Sequence, residues 1–353
     1  MLINLQPAWH KIRRELFGHR TISSECVETR ELHPPETVDA PAAWFDEGDL
    51  QRITDFGHKR NGREIEMARI RGGLTTRQPT MAYRLRDAML VNGFLMTRTR
   101  IHRLAHEAPT PWRLPSNVPR QASGALAASR QGLRYFGHWM RDDLTTSLVL
   151  QDWASLVAPA REPTVHQRDY LAAMRLDITP CSVTHFDELF VVDQNDAENA
   201  FKRARLREVR RRLRGDLEVR PHAGVMLLRG SSGQLRRLVN EGALAESLQR
   251  RGIDVLDPTQ LSVADIIRRC AGAQVVIGVE GSQLSHGIVQ LDDGGSLLVI
   301  QPPQRFNNPL KAPCDALGVC ATASSSARSK AIRPAVDAIS SSMSMRCTAC
   351  STG

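Results

Sequence analysis

The stretch that most constrains the fold runs from Ala273 to Gln301. It opens on a short apolar run, Val275 to Val279, with glycines at 278 and 281, and such a run reads as a strand buried on both faces. Ser282 to Gln290 then has helical spacing through Leu284 and Ile288. Asp292-Asp293-Gly294-Gly295 is turn chemistry, and Leu297 to Ile300 reads as a second buried strand. Strand, glycine turn, helix, turn, strand is a βαβ unit. Its helix N-terminus aims backbone N–H groups at whatever lies above the sheet, and phosphate is the usual guest. Glycines at such a turn also serve tight packing alone, and both readings stand at this point.

The preceding segments extend the pattern. Val225 to Leu228 reads as a strand ending at Arg229-Gly230. Asn240 is placed to cap a helix that buries Leu244 and Leu248 and stops at Gly252. Ile253 to Leu256 is the next strand. Ser262 caps a further helix, with Asp265 at the capping-box position and Val263, Ile266, Ile267 and Cys270 on one face. Strands alternating with short helices predict a doubly wound parallel sheet, whose ligands bind at the carboxyl ends of the strands. Arg229, Gly278 to Gln283 and the loop after Ile300 all fall at that edge.

Upstream, the patterning predicts a first α/β domain over 123–218, a second over 219–317, and an extension over 1–122. In the extension, helix is expected at His10 to Phe17 and loop from Pro34 to Pro41. Asn92-Gly93 between apolar segments predicts a hairpin. Pro109, Pro111, Pro115 and Pro119 form a rigid connector, where the domain boundary is placed. In the first domain a helix starts near Gly137, another spans Pro163 to Met174, and Phe190 to Val192 is a short buried strand. From Gly318 the character changes: the last 36 residues hold 9 Ser, one acidic residue and no aromatic, which cannot bury a core. Disorder is expected over 318–353, in a tail that is not the domain's own ending. Cys347 and Cys350 form a lone C-x-x-C, short of the four ligands that structural zinc needs, so no metal site is expected.

Composition narrows the class. Charged residues at 24% beside a hydrophobic set of 41% mark a soluble globular chain, and no 18-residue apolar run predicts a membrane span. The start lacks the apolar core of a secretory signal. Seven scattered cysteines make no disulfide framework, which favours a reducing cytoplasm. The net charge of +9 favours acidic partners, and much of it sits in 202–214, with eight basic residues and one acidic. Leu206, Val209 and Leu213 make that segment an amphipathic helix with a basic face. The face is either a solvated surface or a contact for anionic lipid headgroups, which would place the chain at the inner face of the cytoplasmic membrane.

Four segments in order resemble glycosyltransferase family 61: Y-F-G-H-W-M-R-D-D-L (135–144), V-M-L-L-R-G (225–230), R-R-L-V-N-E (236–241) and V-V-I-G-V-E-G-S-Q-L-S-H (275–286). The family shows a His-Trp, a strand ending in Arg, an Arg spaced before Asn-Glu, and a Gly-x-His-Gly-Ala-Gly-Leu turn. Gly281 and Leu284 match that turn; Glu280 stands in place of its His, and Gln283 in place of a glycine. The resemblance covers about Met81 to Asn308. It implies a GT-B-like architecture of two Rossmann-like domains. It also implies a hexosyl- or pentosyltransferase that uses a nucleotide-sugar donor as substrate, needs no separate cofactor, and builds capsular or surface polysaccharide on a glycan or lipid-linked acceptor.

Inverting sugar transfer needs a base for the acceptor proton, charge to stabilise the departing nucleotide, and alignment of both substrates. His138 is the base candidate, because histidine titrates near neutrality. Asp142 at i+4 is placed to orient it, and Asp143 is a lesser candidate for that role. The alternative for His138 is a structural His-Trp helix cap. Arg229 could pair with a diphosphate through its fork of donors, or form a surface ion pair. Arg236 and Arg237 flank the same edge, and the sequence does not choose between them. Asn240, Gly278, Gly281, Ser282 and Gln283 complete the expected donor site. Glu280 would repel a diphosphate at close range and could instead accept hydrogen bonds from sugar or ribose hydroxyls. With no D-x-D pair placed after a strand, a metal-independent mechanism is expected. Two other classes compete: a non-catalytic relative that binds nucleotide sugar or an assembly partner, and a basic nucleic-acid binder. Aromatic residues at only 5% and no recognisable module speak against the latter.

Overall fold

The computed structural model describes residues 2–4, 8, 22–57, 62–106, 108, 111, 113–193, 198–230, 236, 238–319 and 321–326. The helix expected at His10 to Phe17, Arg237, and the tail beyond 326 lie outside them. The chain forms two compact units, each built from discontinuous segments: Met1–Glu36 with Thr76–Leu213, and Thr37–Thr75 with Arg214–Gly353.

The first unit is organised on an eight-stranded mixed sheet. From one edge it runs Thr179–Cys181, Leu156–Pro159, Arg120–Leu126, Val183–Asp193, Thr80–Val91, Phe94–Met96 and Ile101–Arg103, with Glu28–His33 also on Thr80–Val91. The first four are mutually parallel, as a Rossmann-like half requires, and the rest are antiparallel. Only Ser182 separates the first strand of that order from the fourth. A chain gains at most about 3.6 Å per residue, so the sheet curls to bring them together.

The expected extension is therefore not separate from the first α/β region. Val183–Asp193, whose buried and open positions largely alternate, pairs along its whole length with Thr80–Val91 and joins the two regions in one sheet. The hairpin at Asn92-Gly93 forms with both residues at positive φ, 46° and 87°, the backbone a two-residue reversal demands. Leu85, Leu90, Leu95, Leu126, Val157, Phe186 and Leu189 make its core. Gly124 lies under the Phe186 ring, where a Cβ would come within 2.6 Å of Cε1.

The helix that begins at Phe136 is not regular. Phe136–His138 is α, Trp139–Asp143 takes the wider π form, and Leu144–Leu150 returns to α. The widened turn is supported by side chains: Thr145 Oγ1 donates to the carbonyls of Arg141 and Asp142, and Ser147 Oγ to that of Asp143. Trp139 packs into the unit against Phe136 and Tyr170. The basic helix is Ala200–Arg214, opened by Asn199, whose Oδ1 accepts the Lys202 N–H. Its buried stripe holds Leu206, Val209 and Leu213 as expected, but also Lys202 and Arg205.

The second unit carries a wholly parallel six-stranded sheet in the order Ile253–Leu256, Gly224–Leu227, Val275–Val279, Ser296–Gln301, Ala321–Ser326, Trp44–Phe45. Numbered along the chain from Gly224, the first five strands stand 2-1-3-4-5. That is a doubly wound order with its switch point between the first strand and the third. Every residue of Val275–Val279 and Ser296–Gln301 is buried, as the apolar runs predict. Gly278 lets strand one approach, since a Cβ there would sit 2.7 Å from Leu227 O. Ser262 accepts the Asp265 N–H at its helix start.

Disorder from Gly318 is corrected over Ala321–Ser326. This segment is a strand paired residue for residue with Ser296–Gln301, and Ala323 and Ser324 register with Trp44 and Phe45. Backbone hydrogen bonding to an existing strand needs no large apolar side chain, so a composition argument overlooks it.

Candidate functional site

The carboxyl ends of Gly224–Leu227 and Val275–Val279 gather charged side chains at the switch point. Arg229, two residues past the first strand, donates from Nη1 to Gln283 Oε1 at 2.6 Å, and its backbone N–H donates to Glu241 Oε1 at 3.2 Å. Gln283 is fixed in turn by its Nε2, which donates to Val279 O at 2.6 Å. Arg236 Nη1 donates to the Glu280 carbonyl at 2.9 Å and also binds the Glu280 carboxylate through Oε2. A Cβ at Gly281 would displace the ends of the Arg229 and Gln283 side chains.

Arg305, in the short 3₁₀ turn Pro303–Arg305 after the fourth strand, completes the electrostatics. Burial lowers the pKa of Arg229, and the neighbouring charges of Arg236 and Arg305 add to that. Burial raises the pKa of Glu280, while Arg236, Arg305 and Arg229 pull it the other way. Three guanidinium groups against the carboxylates of Glu280 and Glu241 leave the strand ends with excess positive charge, in a partly buried setting that strengthens its pull on an anion.

The structure thus brings together Arg229, Arg236, Gly278, Gly281, Gln283 and Glu280. Glu280 does not project outward. It is 5% exposed and spent on Arg236, which removes the repulsion expected toward an anionic ligand. Asn240 occupies the N-cap position of Glu241–Gln249 but makes no capping hydrogen bond with its side chain. Ser282 lies in the turn, its carbonyl accepting the Ser285 N–H. The helix after the turn is only Leu284–Ile288, so the cationic character comes from side chains more than from a helix end. Glu241, the first residue of its helix, anchors the Arg229 backbone. Arg305 was hidden in a segment legible only as a loop.

A second cluster lies in the first unit, on the widened helix. His138 Nδ1 is 2.7 Å from Asp142 Oδ2 and 2.9 Å from Arg141 Nη2. Lys202 Nζ, from the basic helix, donates to Asp142 Oδ1 at 2.6 Å and to Glu198 Oε1 at 3.0 Å. Burial alone would raise the Asp142 pKa, but Lys202, Arg141 and His138 outweigh it and hold the carboxyl well below the usual aspartate range. Arg205 lies over the Phe201 ring at 4.2 Å, and burial takes its pKa down to about 10 against the pull of Glu198 and Asp142. The His138 side chain is 31% exposed while Trp139 is buried, so the two halves of the His-Trp pair do different work.

Asp143 is a correction. It is 3% exposed, its Oδ1 accepts the Ser129 N–H at 3.0 Å, and burial, helped by the charge of Asp142, raises its pKa well above the ordinary value. It ties the helix to the 129–132 loop and is not placed to orient His138. Sequence reasoning missed Arg141, Lys202 and Glu198. The Glu198–Lys202 spacing of four was a usable signal, masked by the surrounding charge run.

The family model described as Glycosyltransferase 61 matches residues 136–297, a span that begins on the His138 helix and ends in the fourth strand of the parallel sheet. The match supports the likeness to that family and suggests a glycosyltransferase. No curated protein matched the chain. Both units are mixed α/β, and the parallel sheet is compatible with a Rossmann-like fold. Among the described residues, no helix is long and apolar enough to cross a membrane, and no group of three His, Cys, Asp or Glu side chains is placed to hold a metal ion.

Proposed function

We propose that this protein is a glycosyltransferase of GT-B-like architecture. It moves a hexosyl or pentosyl group from a nucleotide-sugar donor to a glycan or lipid-linked acceptor in capsular or surface polysaccharide assembly. The observation that carries this reading is the Arg229, Arg236 and Arg305 group at the switch point of a parallel sheet, inside or beside the span that matches Glycosyltransferase 61. In the first unit, His138 would take the acceptor hydroxyl proton on Nε2, since Nδ1 faces Asp142. The acceptor oxygen bonds to the anomeric carbon from the face opposite the donor phosphate, which inverts it. The carbon–phosphate-oxygen bond breaks, and the nucleotide leaves with the electron pair. Guanidinium groups supply the charge that a divalent cation supplies elsewhere, which favours a metal-independent reaction. The outward face of Ala200–Arg214, with Arg207 and Arg211 exposed, would hold the protein to anionic lipid at the inner face of the cytoplasmic membrane.

A panel of nucleotide sugars, screened by thermal shift and donor hydrolysis, tests this. One donor is expected to stabilise the wild type. Arg229→Ala should lose that shift, and His138→Ala should keep the shift and lose turnover. If no nucleotide sugar shifts the wild type, the donor site is absent. The ion pair of Glu280 with Arg236 favours a second reading, a nucleotide-sugar-binding relative without turnover, which the same panel reports as a shift without hydrolysis.

A further inference from the structure

Asp142 meets the ring on one oxygen and two cations, Lys202 and Arg141, on the other. Through Oδ2 it fixes His138 at Nδ1, and through Oδ1 it receives Lys202 Nζ. A carboxylate bonded only to the imidazole would favour the imidazolium, the form that cannot accept a proton. A cation on the same carboxylate offsets that effect while the hydrogen bond keeps the ring oriented. Beside Arg141, Lys202 is placed to do so. It comes from a different helix, its side chain is 1% exposed, and it lies on the oxygen of Asp142 that His138 does not use.

The geometry points to Lys202 as a positioning residue that acts on His138 through Asp142, sharing the charge of the carboxylate that orients the ring. This rests on the reading of His138 as the base. Arg141 and Asp142 lie on its own helix, Lys202 and Arg205 on Ala200–Arg214, and Glu198 just ahead of that helix. Tyr135 lies beside the imidazole with ring centroids 6.0 Å apart. Arg141 Nη2 also lies 2.9 Å from Nδ1 and 3.5 Å from Nε2, but from the same helical turn. Lys202 reaches Asp142 from a different helix at 2.6 Å, and it is itself steadied by Glu198 at i−4. A merely structural lysine would join the helices equally well whichever oxygen it met, and would leave the ring indifferent to its loss.

The test is ring NMR of labelled histidine across a pH series, with the His138 signal assigned by its loss in His138→Ala. The proteins are the wild type, Lys202→Gln, Lys202→Met, Asp142→Asn and the double variant Asp142→Asn/Lys202→Met. In Lys202→Gln and Lys202→Met the pH midpoint of the His138 signal is expected to rise by about one unit, because Arg141 but no longer Lys202 then shares the charge of Asp142. In the Asp142→Asn background, adding Lys202→Met should move the midpoint by less than a third of that. An unchanged midpoint in the single variants, or an equal shift in both backgrounds, overturns the proposal. Should Lys202→Met fail to fold, Lys202→Gln, which keeps a hydrogen-bond donor without the charge, still decides it. Turnover is read separately: His138→Ala that retains full activity refutes the base assignment, whereas the NMR result refutes or supports the Lys202 linkage without any donor.

Discussion

Arg229 and Gln283 stand 54 residues apart in sequence, yet Arg229 Nη1 donates to Gln283 Oε1 across the switch point at 2.6 Å. Gln283 replaces a glycine of the family motif that the chain resembles, so this chain aims its strand-end arginine with a side chain where that motif has none. Hydrogen bonds to charged groups contribute about 1.5–3 kcal/mol. Arg229→Ala should therefore weaken nucleotide-sugar binding by roughly tenfold to a hundredfold, and Gln283→Ala by less, since it leaves the charge in place. Calorimetric titration with the donor found in the panel checks both; equal losses would mean that Arg229 contributes nothing beyond its hold on Gln283.

The glycines at this edge separate function from fold. A Cβ at Gly281 would displace the Arg229 guanidinium, whereas a Cβ at Gly278 meets Leu227 O and the Leu284 side chain inside the sheet. Gly281→Ala is expected to lose donor binding with a small change in melting temperature. Gly278→Ala should cost about 1–3 kcal/mol of stability through overpacking. Thermal unfolding and donor binding measured on both variants test the contrast.

Asp143 supplies a pH-dependent prediction. Its raised folded-state pKa means that the native protein holds this proton more tightly than the unfolded chain does. The stability it contributes is therefore complete below the ordinary aspartate value and is lost as pH rises through the raised one. Asp143→Asn keeps an oxygen for the Ser129 N–H and removes the titration. Its melting temperature should gain on the wild type as pH climbs from about 4 toward neutrality. Parallel melting curves would refute this.

The exposed arginines of the basic helix bear on membrane attachment. Arg207 is exposed, and Arg211 is 72% exposed while paired with Glu208. Basic groups near an anionic surface contribute about 1 kcal/mol each. Arg207→Glu/Arg211→Glu should lower cosedimentation with phosphatidylserine vesicles by roughly tenfold or more, and salt should abolish binding for the wild type. Binding that survives both would point to an apolar anchor.

Much of the second unit was legible because its signals are local. Val275–Val279 and Leu297–Ile300 are continuous apolar runs, Ser262 with Asp265 marks a helix start, and Asn92-Gly93 in the first unit encodes its own reversal. What escaped was carried by partners distant in sequence. Nothing within Thr80–Val91 announces that it will pair with Val183–Asp193. Nothing in Ala321–Ser326 announces a place beside Ser296–Gln301. Within the candidate site, the strand-end rule located Arg229, Glu280 and Gln283, and the resemblance added Arg236. Arg305 and Lys202 needed coordinates, since an arginine in a loop and a lysine in a basic run look like solvated charge. Asp143 was misread because adjacent aspartates are equivalent on paper, and only the widened turn shows that one faces His138 and the other the interior.

Trp44 and Phe45 pair with Ala323 and Ser324, some 280 positions further along. During synthesis the edge strand emerges early and must wait until nearly the whole of the second unit has been translated before its partner exists. Loop closure over such a span is slow, and a waiting strand is open to wrong partners. Expression of Arg214 onward as a separate fragment would omit Trp44–Phe45 and leave Ala321–Ser326 as an exposed edge, the kind of border along which sheets aggregate.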